Sequence, residues 1–192
     1  MITINAKSLD LAAFERIVLQ KETLHLDAAS IQNVVDSYEF LAAFSDDKLI
    51  YGINTGFGPM AQYRIDDADR KKLQYNLIRS HSSGMGQILP EQQCRATLLA
   101  RMNTLLLGYS GVHVSTINLM VNLINAEAYP CIYAHGGVGA SGDLVQLAHL
   151  ALGLIGEGEF WFKGEIVKAK TVFETLQLHP LEVHIREGLG LL

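Results

Sequence analysis

Residues 135–158 read HGGVGASGDLVQLAHLALGLIGEG. The segment opens as a glycine-rich bend centred on Ala140, Ser141 and Gly142. From Leu144 to Ile155 it becomes an apolar run of helical length, closed by Gly156 and Gly158. Three small residues ahead of a helix admit a plain reading, a tight turn in which Ser141 or Asp143 caps the helix. Two catalytic readings fail on spacing. A serine nucleophile elbow needs Gly-x-Ser-x-Gly, and the residue two beyond Ser141 is Asp143. A phosphate loop needs Gly-Lys-Ser/Thr after its glycines, and Asp143 would put a negative charge at the helix end that should receive phosphate.

A third reading uses the chemistry of Ala-Ser-Gly itself. If the bend presses the Gly142 nitrogen against the Ala140 carbonyl carbon, the unhindered amide closes a five-membered ring. Loss of one water from that adduct, and of the Ser141 hydroxyl as a second, leaves an exocyclic methylidene. Such a group is an electrophile of a kind no ordinary side chain supplies. The helix starting near Leu144 would turn its positive end toward the bend and favour negative charge developing there.

Outward from this segment, the chain reads as a succession of helices with short extended pieces. ITINA and ETLHL alternate as short strands, and Ser8 is placed to cap a helix through LDLAAFERIVL. From Asp27, Ile31, Val34, Val35, Tyr38 and Leu41 recur at three- and four-residue steps until SDDK breaks the pattern. Asp66 to Arg79 is helical with Leu73, Leu77 and Tyr75 inward. Pro90 opens the next helix at its first turn. That helix, with Leu98, Leu99, Met102, Leu105 and Leu106, and the one from Val114, with Ile117, Leu119, Met120, Leu123 and Ile124, carry apolar arcs wide enough to be covered on more than one side. Such arcs belong in a bundle interior or a subunit interface. EFWFKGEIVKA reads as a hairpin turning at Lys163 and Gly164.

Composition narrows the function classes. The chain has 192 residues, 49% of them hydrophobic, and a net charge of −5 without a run of five like charges, so it offers nothing to nucleic acid or to a membrane surface. MITINAKSLDLAAF lacks the build of a secretory signal, and no segment approaches a membrane span. Cys94 and Cys131 stand without a CxxC or clustered histidines, and read as packing residues rather than a disulfide or metal site. His113, His135 and His149 are scattered, His149 as a satisfied core histidine. The expectation is a reduced, cytoplasmic protein without a zinc site.

GGVGASGDLVQLAHL resembles the signature of the aromatic amino-acid ammonia-lyases, the histidine, phenylalanine and tyrosine ammonia-lyase family, in which Ala-Ser-Gly becomes 4-methylidene-imidazol-5-one (MIO). Two further motifs carry the resemblance in the family's order: YGINTGFG resembles its mobile inner loop, and NLIRSHSSGMG its substrate-selectivity segment. Two positions depart from the pattern. Many members have serine at the position of Gly137 and proline at that of Gln146; the Ala140-Ser141-Gly142 triad is intact.

The resemblance implies a mainly α fold, the N-terminal part of a long-helix bundle with short strands and hairpins, and a homotetramer whose sites combine three subunits. It implies MIO from Ala140, Ser141 and Gly142 with no metal and no diffusible cofactor, Tyr51 as catalytic base, and Gly58 lining the substrate site where a side chain would obstruct. Ser80 and His81 fall at the selectivity pair, and Asn54 orders the same loop as Tyr51. The phenol of a free tyrosine ionises near pH ~10, so Tyr51 needs donors that stabilise phenolate. The Ser-His pair resembles histidine ammonia-lyase, whereas GPMAQYRI and RSHSSGMG resemble a bacterial branch acting on tyrosine. Histidine stands first and tyrosine second as the L-amino-acid substrate. An aminomutase using the same group, and a catalytically silent helical assembly module, stay open as alternatives. Family enzymes are much longer, so residues 1–192 are expected to be the N-terminal and first central helical part. Alone they are expected to be inactive and to self-associate through the apolar arcs between Pro90 and Ala126.

Overall fold

The two broad apolar arcs find their partners inside the chain. α4 (Glu91–Leu106) and α5 (Val114–Asn125) pack together, and Leu98, Leu99, Met102, Leu105, Leu106, Met120 and Leu123 have no exposed surface. In the computed structural model, which describes residues 1–5, 9–46, 48–139 and 144–192, these side chains form one core with residues from the surrounding helices and strands. The arcs are therefore bundle interior. The apolar surface anticipated there is absent; large exposed hydrophobics sit elsewhere, at Leu11, Phe40, Met85 and Tyr109 among others.

The first elements wrap this pair. β1 (Ile2–Ile4) and β2 (Leu24–Leu26) pair in parallel, Ile2 opposite Leu24, across α1 (Leu11–Gln20). Ser8, the expected cap of α1, lies outside the described residues. Asp10 caps the helix, its Oδ1 accepting from Ala13 N at 2.7 Å. α2 (Ala28–Phe44) begins in the same way at Asp27 and buries Val34 and Leu41, with Ile31, Val35 and Tyr38 only half-covered. Pro90 stands one residue ahead of α4, its carbonyl accepting from Gln93 and Cys94.

Three strands escaped the pattern reading because their residues, MGQI, AYP and YAH, do not alternate apolar with polar, and each gains its identity only from a partner. β3 (Met85–Ile88) pairs antiparallel with β5 (Tyr133–His135), Met85 opposite His135. β4 (Ala128–Pro130) is the edge of a three-stranded sheet with β6 (Glu159–Phe162) and β7 (Glu165–Lys168), and an edge tolerates Pro130. β6 and β7 are the expected hairpin. Lys163 and Gly164 both take positive φ, 55° and 81°, the two-residue turn that matches strand twist.

Three helices complete the scaffold of the candidate site: α3 (Asp67–His81), α6 (Leu144–Leu154) and the short α8 (Glu187–Leu191), with α3 packed on both of the others. α7 (Ala169–Leu176) covers β6 and β7. The architecture is mainly α with short strands, as expected. No helix among the described residues is long and apolar enough to cross a membrane.

Candidate active site

Tyr51 and Gly58 open and close one loop, and the loop folds so that they meet: Gly58 N–H donates to the Tyr51 hydroxyl at 3.4 Å. The Tyr51 ring stands edge-on to Phe57, centroids 5.8 Å apart, and remains 52% exposed. Asn54 holds the loop from within. Fully buried, it donates to the carbonyls of Ser45 and Lys48 and accepts from Ile50 N, satisfying its amide in three bonds. The Thr55 hydroxyl accepts from Gly52 N and donates to the Gly56 carbonyl. Gly58 has φ +53° and a Cβ there would meet nothing within 4 Å. Within this chain the backbone conformation, not crowding, explains the glycine, and the space in front of it is open.

α3 is the platform under this loop. Its buried face is Gln74, Leu77 and Ile78, with Leu73 and Tyr75 half-buried, so the inward set read from apolar spacing was shifted by one polar residue. At its C-terminal end stand Ser80 and His81. The Ser80 hydroxyl and His81 Nδ1 both donate to the Leu77 carbonyl, at 3.1 and 2.9 Å, and lie 3.1 Å from each other. These bonds anchor the pair to the last helical turn and leave His81 Nε2 without a partner among the described residues.

The segment after His81 runs alongside the approach to the glycine-rich bend. Gly84 N–H donates to His149 Nε2 at 2.9 Å, tying the stretch that follows His81 to α6. His149 is 8% exposed, and burial holds its imidazole below the usual histidine range. Accepting at Nε2 requires the neutral ring with its proton on Nδ1. A Cβ on Gly136 would lie 3.1 Å from the Gly84 Cα, so two glycines allow these segments to touch. Ala140, Ser141, Gly142 and Asp143 lie outside the described residues. α6 begins at Leu144, immediately after them.

The two departures from the family pattern turn out to be one contact. A Cβ on Gly137 would lie 3.0 Å from Gln146 Oε1 and 3.1 Å from its Nε2, and that Oε1 is buried without a partner among the described residues. Gln146 is the third residue of α6, where proline would also fit because its N–H is not needed. The expected result is a coupling: Gly137→Ala should be about 1 kcal/mol less favourable in the wild-type background than beside Gln146→Pro. Unfolding midpoints of the four proteins measure it, and additive shifts would remove the contact from the explanation.

Several residues around the site gave little signal in the sequence. Glu187 is fully buried and accepts from the His113 and His184 amides at 2.6 and 2.7 Å, locking the start of α8 to the start of α5. His113 caps α5 through Nδ1, and burial together with neighbouring His184 lowers its pKa. Cys94 and Cys131 are buried free thiols pushed up to about 11 and about 12 by burial, which suits packing rather than reactivity. Among the described residues no group of His, Cys, Asp or Glu could hold a metal ion.

The comparison that decides the grouping is a match of residues 9–192 to the family model described as aromatic amino acid lyase. The chain belongs to this family. It is 39% identical over 193 residues to histidine ammonia-lyase of Bacillus cytotoxicus, with all of this chain and 38% of that protein covered. Its fold matches ergothionase from Treponema denticola with a TM-score of 0.94 at 26% identity, covering 100% of this chain and 38% of that one. It also matches tyrosine aminomutase from Streptomyces globisporus, with a TM-score of 0.91 at 33% identity and 99% and 36% covered. The chain thus spans less than two-fifths of the length of these aromatic amino acid lyase relatives.

Proposed function

We propose that this chain supplies the base loop, the selectivity pair and the electrophile-forming triad of an aromatic amino-acid ammonia-lyase. The substrate is L-histidine, giving urocanate, ahead of L-tyrosine, giving p-coumarate. The observation that carries the reading is the convergence on α3. The Tyr51–Gly58 loop rests on that helix, Ser80 and His81 end it, and the next residues are tied by Gly84 and His149 to the helix that follows Ala140-Ser141-Gly142. Overall similarity to histidine ammonia-lyases supports the order of substrates.

The local residues fit a triad that closes on itself. Gly136 passes tightly over Gly84, and a Cβ on Gly139 would meet nothing within 4 Å, so the approach to the triad is unobstructed. Ala140, Ser141 and Gly142 would become MIO, which supplies the electrophile that makes ammonia a better leaving group. The rest falls to side chains and backbone. Tyr51 takes the β-proton, and the Gly58 N–H beside its oxygen is a donor of the kind phenolate requires. His81, fixed through Nδ1, offers Nε2 to an imidazole or a phenol. α6 starts directly after the triad in sequence, and a helix start is a place where developing negative charge is favoured.

Residues 1–192 would be the N-terminal and first central helical part of a homo-oligomeric, cytoplasmic enzyme. The test is to assay the full protein with both amino acids. Ammonia with urocanate or p-coumarate is expected, and absence of both products would refute the reading. Similarity to tyrosine aminomutase favours one second reading, return of ammonia to the β-carbon; a β-amino acid product would establish it.

A further inference from the structure

Gln74 is the one polar side chain at the centre of the buried face of α3, with no exposed surface, and both ends of its amide are used. Nε2 donates to the Gly52 carbonyl at 3.0 Å, and Oε1 accepts from Leu189 N–H at 3.2 Å. The partners force this orientation, because a carbonyl can only accept and a peptide N–H can only donate. One amide therefore joins the residue directly after Tyr51 to α8.

Both contacts are built with close tolerances. A Cβ on Gly188 would lie 2.7 Å from the Gln74 carbonyl oxygen and from Oε1, so α8 reaches the amide only because residue 188 is glycine. Gly52 has φ +71°, and a Cβ there would lie 2.5 Å from Leu189 Cδ2 and 2.9 Å from the Phe57 ring. The loop, α3 and α8 meet at one point, and both hydrogen-bond partners of the Gln74 amide are backbone groups. A hydrocarbon there would pack as well and leave the Gly52 carbonyl and Leu189 N–H unpaired, each at a real cost when buried.

We infer that Gln74 is a positioning residue for the proton-accepting loop, holding the Gly52 carbonyl so that Tyr51 keeps its place against Gly58, with α8 as the fixed end of the clamp. The inference rests on the reading of Tyr51 as base. It places control of the loop on a residue that touches no substrate.

Gln74→Glu tests it by making the clamp titratable. Protonated, the carboxylic acid reproduces the amide, its O–H donating to the Gly52 carbonyl and its other oxygen accepting from Leu189. Ionised, it sets a lone pair against that carbonyl. The charged and titratable groups on the elements around it are Tyr51 on the loop, Arg186 and Glu187 at the start of α8, His149 on α6, and on α3 itself Asp67, Asp69, Arg70, Lys71, Lys72, Tyr75, Arg79 and His81. Glu187 is already held by two amides, and Lys71 is paired with Glu182. In the full protein, turnover of Gln74→Glu relative to wild type is expected to fall at least about tenfold at pH ~8 and to recover to within about threefold near pH ~5.5, with little change in KM. A ratio that does not vary with pH would overturn the inference. Amide hydrogen exchange over residues 52–58, compared with wild type at each pH, is the arm that needs no lyase activity: faster exchange only at the higher pH supports the clamp, and unchanged exchange refutes it. If wild type proves inactive, the reading of Tyr51 fails while this arm still judges the clamp. Should Gln74→Glu not fold, Gln74→Met enters the exchange experiment, with about tenfold faster loop exchange expected and wild-type protection overturning the proposal.

Discussion

Ser141→Ala is expected to abolish turnover in the full protein. The wild-type mass should fall short of the encoded sequence by two waters, and this deficit should be lost in the variant along with near-UV absorbance of the conjugated ring. The expected loss is at least about a thousandfold, because alanine has no hydroxyl to eliminate and no neighbouring side chain is an electrophile; roughly 4 kcal/mol of lost transition-state stabilisation suffices for that factor. The fold should survive, since the bond from Gly84 N–H to His149 and the buried apolar face of α6 hold the described elements on either side of the triad. A wild-type mass equal to that of the encoded sequence would refute the modification. A Ser141→Ala protein that keeps turnover would refute its role.

The same segment marks where sequence reading succeeded and where it stopped. The family was legible in it because GGVGASGDLVQLAHL resembles the family signature and because its glycines fail each competing template by a definite residue. The long helices were legible because Leu98 to Leu106 and Ile117 to Ile124 repeat an apolar period strongly enough to outweigh local ambiguity. β3, β4 and β5 were not, because MGQI, AYP and YAH lack the alternation that ITINA and ETLHL carry and are strands only through pairing with residues some tens of positions away. Gln74 was missed for a different reason. A polar residue on a helix reads as solvent-facing by pattern, and its burial is set by the Gly52 carbonyl and the Leu189 amide, neither of which lies on α3. His149 was legible as a satisfied core histidine, but that its partner would be the segment following Ser80 and His81 depended on β3 lying against β5.

Tyr51→Phe is the sharper test of the proton acceptor, because it removes one oxygen and little else. The phenylalanine ring can keep the edge-on contact with Phe57, and the loop keeps the Asn54 amide, the Thr55 hydroxyl and the Gln74 clamp, none of which touches the phenol. The only bond among the described residues that the change deletes is the long one from Gly58 N–H, which at 3.4 Å adds little to stability. Substrate binding should therefore persist, with KM or the dissociation constant of an inert analogue within a few-fold of wild type. Turnover should fall by about 10²- to 10⁴-fold, the range that loss of a positioned general base produces. Single-turnover measurements with a β-deuterated substrate sharpen the result, since removal of the base should make proton abstraction the slow step and raise the isotope effect. Wild-type-like turnover in Tyr51→Phe would take Tyr51 out of the reaction and leave its bond to Gly58 a feature of loop structure alone.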